Sequence, residues 1–258
     1  MIPNRTFIVF AALPLVAFCA EFTFEIPPIP FSVDIAGQPV ALSISGQFSA
    51  APQPPGTGDQ LFKLNLRTDL GDLQNRLTSV LQTELNKSDR CGERIEIRDA
   101  TLAPAAPAAH LSVPLHFERW ACVKLLGKDN AKRLLGGNAT VQAILTPKVV
   151  DDGSGGESVL LDADLGTIDA DGSLGEVLRS GSVGPALREK IREALLKAVQ
   201  KSTDMNGVVP IGMKHLVTIQ SVGFADAGRG KLELDLTAGM RVPGAQIAGL
   251  LEQFGNRN

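Results

Sequence analysis

Gly184-Pro185-Ala-Leu-Arg-Glu-Lys-Ile-Arg-Glu-Ala-Leu-Leu-Lys-Ala-Val-Gln-Lys201-Ser202 is the stretch whose reading decides the fold. Leu187, Ile191, Ala194, Leu195 and Ala198 recur at three- and four-residue intervals, the spacing of one face of an α-helix. Pro185 suits the first helical position, where its missing N–H would have no partner in any case. The spacing predicts a helix over 185–201, and its apolar stripe requires a cover. A second stripe, Leu70, Leu73, Leu77, Val80, Leu81 and Leu85, predicts another helix over 73–87, with Asp69 and Asp72 as candidate N-caps.

The two helical stretches align without a gap, Leu73 on Leu187, Leu77 on Ile191, Leu81 on Leu195 and Leu85 on Val199. Each precedes a short strand pattern (Ile95 to Ile97; Val217 to Ile219) and then a strictly alternating one. Leu111, Val113, Leu115 and Phe117 alternate in the first copy, and Leu232, Leu234, Leu236 and Ala238 in the second. Further strand patterns lie near 61–67, 138–149 and 157–166. Strict alternation puts one sheet face in water and buries the other, as antiparallel sheets do. The expected fold is therefore α+β: a twisted antiparallel sheet wrapped around two long amphipathic helices. Gly-rich turns join the strands at 151–156 and 225–230, and Ala103-Pro-Ala-Ala-Pro-Ala-Ala109 reads as a longer, stiffer connection.

Residues 1–20 read as a signal peptide, with Arg5 ahead of an apolar run from Phe7 to Phe18 that is too short to span a bilayer. Cleavage after Ala20 or Cys19 makes the chain exported, periplasmic or extracellular. Val16-Ala17-Phe18-Cys19 leaves a lipid anchor at Cys19 as the alternative, although Phe18 stands where a lipoprotein box has a small residue. An uncleaved membrane anchor is a further alternative. Without the leader, 24 Lys and Arg face 28 Asp and Glu, a balance of −4 that argues against nucleic acid as a partner. Residues 21–60 read as an N-terminal arm, with strand-like alternation at 22–26 and 39–45 that allows a hairpin, interrupted by Pro27, Pro28 and Pro30 and tied to the main domain by a Pro/Gly-rich linker at 50–58. The main domain spans 61–242. Residues 243–258 form a C-terminal tail, with a short amphipathic segment at 247–254 that reads as a docked tail or as a contact with a membrane surface or envelope protein.

Cys91 and Cys122 form an even pair in an exported chain. If Leu115 faces Ile97 across the hairpin, Cys91 falls one step short of Cys122, and an irregularity at Gly92 would close the gap. Such a bridge encloses about thirty residues and contributes roughly 3–4 kcal/mol in the chain-entropy model.

Helix–strand–strand order, the cysteine pair and the late helix before a final hairpin resemble the tubular lipid-binding superfamily, which includes bactericidal/permeability-increasing-type proteins. The resemblance covers about 61–242, room for one module. It implies a hydrophobic small molecule or lipid held in a groove between helix and sheet, lined by Leu77, Leu81, Ile191, Leu195, Leu234 and Leu236. A structural or assembly module of the cell envelope with a filled core is the alternative.

The chain holds no His-Glu-x-x-His, Gly-x-Ser-x-Gly, Cys-x-x-Cys or P-loop spacing, so no catalytic residue, metal ligand or cofactor is assigned. His110 and His116 share a strand face but stand roughly 20 Å apart, and His215 is isolated. Asp169-Ala-Asp171-Gly172 has the opening of a calcium loop without its remaining ligands, and Asp162 and Asp164 alternate as a wet strand face does. Asn86-Lys-Ser88 and Asn138-Ala-Thr140 match the N-glycosylation pattern. One Trp and no Tyr argue against an aromatic stacking site.

Overall fold

The computed structural model describes residues 22–50, 58–125, 128–151, 153, 156–172, 174–176, 184–186, 189–190, 192–193, 196 and 217–243. The expected α+β fold, one sheet around two long helices, is overturned. Among the described residues the chain is mostly β, 72% strand against 16% helix, with two antiparallel sheets and three short helices. Positions 184–186, 189–190, 192–193 and 196 are helical, whereas Leu187, Ile191 and Leu195 lie outside the described residues.

The first sheet runs in the order β1 (Phe22–Ile35), β2 (Gln38–Ala50), β3 (Asp59–Asp69), β11 (Leu232–Pro243), β10 (Val217–Asp226). The second runs β4 (Lys87–Ser88), β5 (Gly92–Ile97), β7 (Ala108–Leu125), β8 (Lys128–Asp151), β9 (Glu157–Ala170), and β6 (Thr101–Ala105) also pairs with β7. The stretch read as an arm is thus a long hairpin whose β2 is paired along β3. Two devices make this possible. Ala36 and Gly37 both take positive φ, 54° and 75°, the twist that matches a two-residue hairpin turn, and the Asp34 carboxylate accepts from the Gly37 N–H at 2.9 Å. Pro27 and Pro28 fall at the register shift between Ile26 and Ile29, on an edge strand. A missing N–H is tolerated at such a position, and a bulge there bends the strand. The Ala/Pro-rich segment 103–109 is a tight turn, Ala105 pairing with Ala108 across a cis Ala106–Pro107 peptide. The carbonyl of Pro107 accepts the Phe224 N–H at 2.9 Å, which ties the second sheet to the first.

The helix expected over 73–87 is α1 (Gly71–Leu85), and Leu73, Leu77, Val80, Leu81 and Leu85 are its buried stripe. Leu70 occupies the N-cap without a side-chain bond. Asp69 instead accepts from the Gly71 N–H, and Asp72 accepts from the Ala41 N–H of β2 at 2.8 Å. Along the helix flank Gln74, Thr78 and Gln82 recur every four residues. They bond the backbone at Leu102, Ala100 and Ile97, so the edge of the second sheet is stitched to α1. Gln74 also accepts from the Leu232 N–H at 2.8 Å and donates to the Gly230 carbonyl at 3.0 Å, so one amide joins α1 to both sheets. The stripe of α1, the inner residues of β5 to β8 and Ile35, Val40, Leu42, Leu232 and Leu234 of the first sheet make one continuous core.

Candidate functional site

Leu77 (1% exposed), Leu81 (0%) and Leu234 (2%) are closed inside that core. Leu236 belongs to a second, smaller cluster with Ile44, Leu66 and Ala238, bordered by part-buried Ile26, Phe31, Leu64, Val159, Val217 and Ile219. Ile191 and Leu195 lie outside the described residues. Of the six groove residues expected, the structure brings Leu77, Leu81 and Leu234 into the core and sets Leu236 apart from them.

The second cluster continues outward along β1. Register pairs Phe31 with Leu42, Ile29 with Ile44, Ile26 with Gly46 and Phe24 with Phe48, so these side chains share the inner face of the first sheet. At this end the cover runs out: Phe24 is 53% and Ile29 50% exposed. The rings of Phe48 and Phe62 stack beside them, with centroids 4.9 Å apart.

The opposite, outer face of the same strands is polar. Glu25, Gln47, Asn65 and Thr237 stand opposite one another on β1, β2, β3 and β11, in one row across the sheet. Gln47 donates to Glu25 at 2.8 Å, and Thr237 donates to Asn65 at 3.2 Å. The next row holds Ser45, Arg67 and Asp235, with Arg67 Nε 3.7 Å from Asp235 Oδ1. A cavity of about 650 Å³ lies over these two rows, walled by Pro27 and Pro28. Gly46 is obligatory at its floor, since a Cβ there would stand 2.1 Å from the Asn65 carbonyl oxygen.

A third group gathers around Glu118. Its carboxylate accepts from the Trp120 indole N–H at 2.8 Å and from Arg133 at 3.0 Å, and His116 Nε2 lies at 3.5 Å. The Trp120 bond, then His116 and Arg133, hold the Glu118 carboxyl below its ordinary range against the opposing effect of burial. The Arg94 guanidinium stacks on Trp120, 4.2 Å from the ring centroid. These contacts satisfy one another across β5, β7 and β8 and fasten the sheet. Nearby, Cys91 and Cys122 form the expected pair with Cα atoms 5.4 Å apart. Ile97 faces Leu115 as read from the sequence, and Gly92 takes φ +139° where Cys91 must step to reach its partner.

Asp162 is held by Lys148, and Asp171 accepts from Asn138 through both its N–H and its side-chain amide. Among the described residues no three His, Cys, Asp or Glu side chains are grouped so as to hold a metal ion. Among them, too, no helix is long and apolar enough to cross a membrane. Sequence reading missed Gln74 and the outer rows. Three i,i+4 polar residues on α1, and polar residues alternating with the apolar ones in β2, β3 and β11, were the available signals.

No protein-family model matches the chain, and no curated protein matches it either. The geometry of the first sheet is therefore the ground for a functional reading.

Proposed function

We propose that the chain is an exported, non-enzymatic protein that holds a lipid-like apolar ligand on the inner face of the first sheet. The binding surface is the end where Ile44, Leu66, Leu236 and Ala238 run out toward Phe24 and Ile29. One observation carries this reading: two large side chains, Phe24 and Ile29, stay half-exposed where the apolar face of the first sheet loses its cover. An acyl chain laid there gains about 25 cal/mol for each Å² of apolar surface removed from water. The cysteine pair fits an oxidising compartment. A structural envelope module is the second reading, favoured by the tight closure of Leu73, Leu77 and Leu81.

Native mass spectrometry with organic extraction of the purified, tag-free protein separates the two. A co-purifying lipid that Leu236→Glu or Ile29→Glu removes from a folded protein supports the carrier. A ligand-free protein that also fails to take up a fluorescent fatty acid supports the structural module.

A further inference from the structure

The outer face of the first sheet carries a polar cavity, on the side opposite the apolar surface. We propose that the cavity over β1, β2, β3 and β11 binds a polyhydroxylated ligand, a short saccharide chain lying across the strands. The floor presents acceptors and donors in alternation: the Glu25 and Asp235 carboxylates, the Gln47 and Asn65 amides, the Arg67 guanidinium and the Thr237 hydroxyl. Asp235 Oδ1 is shielded and faces Arg67 Nε at 3.7 Å, while the rest of the half-exposed carboxylate stays open to the cavity.

The lining selects against other chemistries. An apolar ligand would strip water from the amides and carboxylates without replacing their bonds. A simple anion meets two carboxylates against one guanidinium. A simple cation meets a Glu25 already bonded to Gln47 and an Asp235 already beside Arg67. A peptide strand adds to a sheet edge, whereas this cavity lies over strands whose backbones are paired on both sides at β2, β3 and β11. Hydroxyl groups donate and accept alike, and they suit a mixed floor. Four strands at about 4.8 Å spacing set Glu25 roughly 14 Å from Thr237, the length of a short oligosaccharide. Pro27 and Pro28 offer a flat apolar wall to the C–H face of a sugar ring.

The test is a panel of maltotetraose, cellotetraose and N-acetylated chitotetraose against the full chain, by saturation-transfer NMR and calorimetry. At least one should bind with Kd below about 1 mM, a free energy near −4 kcal/mol. Gln47→Ala and Asn65→Ala, checked for folding by circular dichroism, should each weaken it at least tenfold. Lys63→Ala, on the same face but off the cavity lining, should leave it within twofold. Absence of binding across the panel overturns the site. So does binding that survives both cavity variants, or that Lys63→Ala weakens as much as they do. Uptake of a fluorescent fatty acid should be unchanged in all three variants, which keeps this test separate from that of the apolar surface.

Discussion

Strand β11 passes through two regions that look alike in sequence and differ in the fold. Leu232 and Leu234 are sealed against α1 and the second sheet, and Leu236 and Ala238, next along the same face, belong to the cluster that opens toward Phe24 and Ile29. The alternation that makes the strand is the same in both. What differs is the cover: α1 carries five buried apolar residues and three backbone-bonding polar ones to the first region. Periodicity fixes which face is apolar, and packing decides how much of it is spent on the core.

The comparison can be broken most directly in the closed region. Leu77→Ala should cost about 2–5 kcal/mol in urea unfolding, because the surrounding leucines cannot collapse into the space left; a loss under about 1 kcal/mol would mean the region is not closed. Replacing Cys91 and Cys122 together by Ser, outside both regions, should cost roughly 3–4 kcal/mol without altering ligand uptake. Gln74→Ala should cost about 1–3 kcal/mol, since the Leu232 N–H and two carbonyls lose their partner.

Asp69 sharpens the comparison through pH. Burial pushes its carboxyl up, but the Lys231 hydrogen bond at 2.6 Å, the Gly71 N–H and the Lys231 charge outweigh this and hold it below the ordinary aspartate value. A carboxyl depressed in the folded state stabilises above its unfolded pKa of about 3.9 and loses that contribution as pH falls through the folded value. Asp69→Asn should therefore lower stability by up to about 1 kcal/mol at neutral pH, and the difference should vanish under acid conditions. Equal destabilisation at both pH values would assign the effect to packing. The smallest effect belongs to the open region: Phe24→Ser should change stability by less than about 0.5 kcal/mol while weakening fatty-acid uptake.

Much of this was legible in the sequence. The leucines from Leu73 to Leu85 give α1, and the Ile97–Leu115 register brings Cys91 to Cys122. The joining of β1 and β2 to the first sheet was not. Pro27 and Pro28 read as an interruption because proline breaks interior strands, and only the edge position of β1 lets a bulge absorb them. The Asp34-Ile-Ala-Gly37 turn was a usable hairpin signal. Of the groove residues on β11, Leu234 and Leu236 share one alternation, and no pattern in the chain separates the covered Leu234 from Leu236. That distinction comes from α1 lying over one end of the sheet.

The most direct test of the account uses a stearate carrying a doxyl spin label near its middle, with the leucine and isoleucine methyls isotope-labelled. The account predicts strong paramagnetic broadening at Ile26, Ile29, Ile44, Leu66 and Leu236, with Leu73, Leu77 and Leu81 unchanged. Broadening centred on Leu77 and Leu81, or none at any of these methyls, would contradict it.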